Sequence, residues 1–204
     1  LQRAYDQVFH DVALQDGLPV VFGIDRAGLV GDDGPTHHGV FDIAFLRHVP
    51  RMILAAPKDE TEARAMFRFA LEQDAPVAIR YPRAVAPEFD GDFPARPIRL
   101  GGGEILREGP DAAILAYGAA VHEAWKAADL LADRGIRITV ANARFAKPLD
   151  RELIRSLLES HPVVLTAEDH QAAGGFGSAV LEAASEMRLD VGRLRVAEIG
   201  RASC

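Results

Sequence analysis

Cysteine is nearly absent: one residue, Cys204, in a chain of 204. An internal disulfide is therefore excluded, and a reducing compartment fits. Long apolar runs are missing too. None approaches the roughly 18–20 residues that cross a bilayer, and no signal-peptide pattern is visible, so no membrane partner is expected. Positive charge is in deficit, with 23 Lys and Arg against 30 Asp and Glu and a net charge of −7. That argues against a broad basic surface for nucleic acid. An anionic substrate stays open, because two local arginines suffice for one phosphate. GxGxxG spacing and a P-loop lysine are also lacking, which leaves nucleotide binding without support. No cysteine or helical histidine pair completes a zinc set. What remains, 49% hydrophobic and 26% charged, is ordinary for a globular chain and suits one large domain or two small ones.

The richest chemistry lies in Asp25–Gly39, which follows the apolar run Val20–Ile24. Four glycines, a proline, three aspartates, an arginine and two histidines fall within these fifteen residues. The apolar run reads as a buried strand. A long polar loop at the carboxyl end of such a strand is where open α/β sheets place ligands. We read it as an active-site loop.

Around it, residues 1–15 suit a helix ended by Gly17. Phe41–Leu46 reads as a packed segment beneath the loop, and Met52–Ala56 as a second strand. Asp59 caps a helix running to about Gln73, with Glu62 in capping-box position and Ala63, Met66, Phe67, Ala70 and Leu71 on its buried face. Val77–Ile79 is a third strand. Residues 84–102, with three prolines and no apolar period, read as a linker. Strands at 112–117, 136–141, 163–166 and 194–199 then alternate with helices at 119–134, 150–160 and 175–187. The expectation is an α/β protein: two three-layer α/β/α units with mostly parallel sheets. The domains are 1–85, a linker at 86–102, and 103–204. Three strands are few for the first sheet to stand alone. The chain opens in a helical pattern without a methionine or cap, and Arg201–Cys204 follows an apparent strand directly, so it reads as a piece of a longer protein.

Arg26 and Arg83 each lie just past a buried strand and should leave the same sheet edge. They make either an anion clamp, since guanidinium forks bind phosphate or carboxylate oxygens bidentately, or surface ion pairs with nearby aspartates. His37 is a candidate proton donor or acceptor, with Asp33 four residues earlier to orient it; a histidine bonded to loop backbone is the alternative. Arg3, from pattern alone, is a solvated side chain. Glu168-Asp169-His170 before Gly174-Gly175-Phe176-Gly177-Ser178 reads as tight strand-to-helix packing.

Leu1–Gln7, Asp25–Gly39, Arg80-Tyr81-Pro82-Arg83, Asn142–Asp150 and Gly174–Ser178 together resemble the 1-deoxy-D-xylulose-5-phosphate synthases, in order and over nearly the whole chain. The resemblance implies a transketolase-like fold: the later part of a pyrimidine-binding domain, then a transketolase-type C-terminal domain. It implies a cytoplasmic (in a plant, plastid) homodimer using thiamine diphosphate and Mg2+. Its substrates would be pyruvate and glyceraldehyde 3-phosphate, at the entry to isoprenoid synthesis and feeding thiamine synthesis. It assigns Arg26 and Arg83 to the aldehyde's phosphate, and His37, Asp33 and Arg3 to the catalytic pocket. The cofactor-activating glutamate and the Mg2+ ligands would precede residue 1, so this chain needs the N-terminal part of the same enzyme and should be inactive alone. Two rivals are the beta subunit of a 2-oxo acid dehydrogenase first component, which needs no sugar-phosphate clamp, and a non-catalytic module of the same fold.

Overall fold

Short runs of β-branched and small apolar residues, bounded by turn residues, become strands because both their faces can be covered. The computed structural model describes residues 2–15, 18–31, 33–86 and 96–198. In the first half, β1 (Val21–Ile24), β2 (Ile53–Ala55) and β3 (Val77–Arg80) are parallel, with β3 in the middle. Helix α3 (Glu60–Leu71) crosses between β2 and β3. The Asp59 side chain caps it by accepting the Glu62 N–H at 2.7 Å. Met66 and Ala70 are buried on it, whereas Leu71, expected inward, is exposed at the helix's last position. The Glu62 side chain accepts the Lys58 N–H at 2.8 Å and turns into the protein.

Among the described residues the first sheet has four strands, β1, β3 and β2 in that order and then a fourth. Its fourth member, β7 (Phe145–Lys147), comes from the second half and pairs antiparallel with β2. Phe145 is fully buried there with Ile53, Met66 and Ile79. The sequence reading held only three strands for this sheet, and the missing cover is supplied from across the chain.

The second sheet runs β4-β6-β5-β8-β9, with β4 (Glu104–Pro110), β5 (Ala112–Ala116), β6 (Ile138–Asn142), β8 (Val164–Glu168) and β9 (Leu194–Glu198). All neighbours are parallel except β4 with β6. Strand β4 was not expected from sequence. Helices α4 (Ala120–Ala132), α5 (Arg151–Ser160) and α6 (Phe176–Glu186) cover the sheet, and Asp150 caps α5 through the Leu153 N–H at 2.8 Å. The N-terminal segment is helical as a 3-10 turn (Gln2–Ala4), α1 (Tyr5–Gln7) and a π-helical turn (Val8–Ala13). Helix α2 (Asp42–Leu46) is the packed segment beneath the loop. Residues 87–95 of the expected linker, Gly17 and the Arg201–Cys204 ending lie outside the described residues. No described helix is long and apolar enough to cross a membrane.

Candidate active site

The first sheet's geometry brings two distant arginines to one place. Ile24 lies in register with Arg80 on the neighbouring parallel strand, so the chains leaving β1 and β3 run side by side. The Ala27 N–H donates to the Tyr81 carbonyl at 3.0 Å. Arg26 holds φ at +60°, a left-handed conformation that costs a non-glycine residue free energy and is found where structure over-determines it. Its Nε donates to Asp33 Oδ2 at 2.8 Å, and Arg83 Nη1 donates to the same oxygen. One carboxylate thus sits between two guanidinium groups. The Arg83 and Arg26 hydrogen bonds pull the Asp33 carboxyl down to about 2.

Asp33 is therefore spent on the arginines. His37 ends the 3-10 turn Pro35–His37, and its Nδ1 pairs with the Thr36 hydroxyl at 3.0 Å, leaving Nε2 for a ligand. The next residue, His38, accepts the Val30 N–H on Nδ1 at 3.0 Å and stiffens the loop.

A cleft of about 850 Å³ opens beside these groups, and every described residue lining it lies between 2 and 42. Arg3, Arg26, His37 and His38 face it from the helical segment and the loop. Phe22 and its neighbours on β1 form the apolar wall; among the described residues β1 pairs only with β3. Of the residues singled out in sequence, Arg3, Arg26 and His37 thus line one space, and Arg83 and Asp33 join it through Arg26.

Three contributors were not visible in sequence. Asp42 opens α2, is 8% exposed and lines the cleft; burial pushes its carboxyl up against the pull of Arg80. Arg80, 3% exposed, donates from Nη2 to the Gly39 carbonyl at 2.7 Å and lies 3.6 Å from Asp42. His170, from the second half, accepts the Ile43 N–H at 3.1 Å. Each depends on a long-range contact, which spacing does not reveal. Among the described residues no three His, Cys, Asp or Glu side chains are grouped to hold a metal ion.

The two sheets, and a polar loop at the carboxyl edge of the first, define a class. Residues 1–88 match the family model of the transketolase pyrimidine-binding domain, and residues 101–202 that of the transketolase C-terminal domain. The chain belongs to the transketolase family. Its curated relatives narrow the class. It is 58% identical, over 89% of its length, to 1-deoxy-D-xylulose-5-phosphate synthase 1 of Geobacter sulfurreducens. It is 58% identical over 93% to the 1-deoxy-D-xylulose-5-phosphate synthase of Thermus thermophilus, and 55% over 96% to that of Thermomicrobium roseum. It spans only 28%, 29% and 31% of those proteins, respectively. These names do not favour the dehydrogenase reading. A solved structure described as a split-gene transketolase, inactive beta4 tetramer, superposes with a TM-score of 0.83 at 33% identity, over 97% of this chain and 62% of that one.

Proposed function

We propose that this chain forms the acceptor-phosphate side of a thiamine-diphosphate-dependent transferase. The reaction condenses pyruvate with D-glyceraldehyde 3-phosphate, giving 1-deoxy-D-xylulose 5-phosphate and carbon dioxide, the first step of the methylerythritol phosphate route. The observation that carries this reading is the convergence of Arg26 and Arg83 on one carboxylate beside an imidazole-lined cleft. Two guanidinium groups that already share one anionic oxygen are placed to share a phosphate.

The groups facing the cleft fit anionic reactants at the reacting end of the cofactor. The Mg2+–diphosphate end is assigned to the preceding part of the parent protein. Thiamine diphosphate, when bound, supplies the electron sink for loss of carbon dioxide from pyruvate. This chain's own groups bind and orient. Arg26 and Arg83 hold the aldehyde's phosphate, Arg3 adds positive charge for the pyruvate carboxylate, and His37 Nε2 takes or gives a proton at the reacting oxygen. Asp33 sets the spacing of the two arginines.

We place the activity in a longer cytoplasmic protein, acting as a homodimer. The chain's short span of its relatives supports the longer protein, and a neighbour described as an inactive beta4 tetramer supports self-association. The test is carbon dioxide release from pyruvate by the full-length protein with thiamine diphosphate and Mg2+. Release that depends on glyceraldehyde 3-phosphate is expected. Release indifferent to the aldehyde would overturn the reading.

A further inference from the structure

Among the described residues the second domain lines no part of the cleft, yet it grips both ends of the loop that does. The end of β8 and the residues after it, 168–171, meet the loop at its two stems. On one stem, the Leu29 N–H faces the Asp169 carboxylate, and Gly28 packs so closely on it that a Cβ there would overlap its oxygens. On the other, His170 Nε2 accepts the Ile43 N–H at 3.1 Å, and the Gln171 N–H donates to the Val40 carbonyl at 3.2 Å. The stems are themselves zipped, Gly39 N–H to Gly28 carbonyl at 2.8 Å and Gly28 N–H to Gly39 carbonyl at 3.1 Å.

The grip is rigid. His170 is fully buried, and its Nδ1–H donates to the Gln171 carbonyl at 2.8 Å, so Nε2 carries the lone pair that Ile43 needs. Glu168, also fully buried, accepts the Phe176 and Gly177 N–H groups at 2.6 and 2.7 Å and ties the segment to the start of α6. Such closure exceeds what strand-to-helix packing requires, because the His170 imidazole bonds a loop amide and the Asp169 carboxylate packs on the loop backbone, both outside their own domain.

We propose that Asp169 and His170 are positioning residues for the cleft: they hold the Gly28 and Ile43 stems so that Arg26 and His37 keep their places. The inference deepens the reading of the cleft given above and rests on it. Neither residue touches substrate. They act through the loop backbone, where a displacement near 1 Å can cost on the order of a hundredfold in rate.

The test uses the full-length protein carrying His170→Leu and Asp169→Ala, which remove the acceptors, and His170→Gln and Asp169→Asn, which keep one. Two readouts separate positioning from bulk stability. In hydrogen exchange without substrate, peptides covering 27–43 should exchange at least about tenfold faster in the first pair, while α4 and α5 hold. In steady-state kinetics, KM for glyceraldehyde 3-phosphate should rise about tenfold or more in that pair, KM for pyruvate should move little, and the second pair should recover most of the loss. Asp169→Ala, at a half-buried position, carries the test if His170→Leu does not fold. Unchanged exchange over 27–43 would overturn the proposal, as would equal losses in the conservative variants. If exchange follows the predicted order but no variant, nor the wild type, uses the aldehyde, the positioning stands and the reaction assigned above falls.

Discussion

His170 and Glu168 lie within one buried turn and are shifted in opposite senses. Burial pushes the His170 imidazole down to about 4, and pushes the Glu168 carboxyl up to about 7 despite its two backbone donors. For His170 the unfolded chain binds the proton more readily, so its contribution to stability is complete above about 6.5 and is lost as pH falls towards 4. Glu168 binds its proton more readily when folded, so its contribution is complete below 4.5 and is lost as pH rises through 7. The two slopes oppose each other between these limits and nearly cancel. His170→Gln removes one of them. Relative to the wild type, its stability should then fall from about pH 4.5 to 7, by on the order of 3 kcal/mol. Urea midpoints measured across that range check it, and parallel profiles for the two proteins would contradict it.

At the scale of the element, the loop is shaped by glycines at points of contact rather than by general flexibility. Gly28 has φ +83° and abuts the Asp169 carboxylate, and a Cβ at Gly39 would strike the Arg26 carbonyl. Gly28→Ala should cost about 1–3 kcal/mol of stability and weaken aldehyde use, since both strain and displacement act on the stem. A change under about 0.5 kcal/mol with unaltered kinetics would mean that the stem is not fixed as described.

The loop, the strands before Arg26 and Arg83, and the caps Asp59 and Asp150 were all legible, because each is a local pattern of period, turn residue or cap. The parallel register of β1 and β3 made the arginines' convergence legible as well. The role of Asp33 was read less well. Four residues from His37 suggests a partner, but the intervening 3-10 turn carries His37 to Thr36 and leaves Asp33 to the arginines. Strand β7 is three residues long and its partner β2 lies far upstream, so no periodicity could announce it. Strand β4 carries Arg107 and Glu108 and sits at the sheet's edge, where polar residues blur the alternation. His170 looked like packing, since one imidazole in a loop carries no spacing signal.

Across the whole molecule, the two halves are joined by buried charge. Arg144, with φ +59°, donates from Nε to Glu62 at 2.7 Å and lies 2.9 Å from Glu104 through Nη2. Asn142 donates to both oxygens of Glu62 at 3.0 Å. Lys58 lies 3.3 Å from Glu62 and 3.2 Å from Glu104, and these carboxylates outweigh burial to raise its pKa. Lys58 and Glu62 belong to the first half, the other three to the second, and all are buried. Such a network adds little net stability as a whole, but removing one member strands the others. Arg144→Met leaves two buried carboxylates with Lys58 as their one buried cation, Asn142 remaining as a neutral donor. It should destabilise the protein by about 3–5 kcal/mol in urea denaturation, and a loss below about 1 kcal/mol would show the network to be solvated.

The central claim is that Arg26 and Arg83 read a phosphate. In the full-length protein, kcat/KM for D-glyceraldehyde 3-phosphate is to be compared with that for unphosphorylated D-glyceraldehyde, in the wild type and in Arg26→Ala and Arg83→Ala. A lost charge-assisted hydrogen bond is worth about 1.5–3 kcal/mol. Each substitution should therefore lower the value for the phosphorylated aldehyde about tenfold to a hundredfold and leave the other nearly unchanged. Equal losses on both aldehydes would contradict the claim and make the arginines structural.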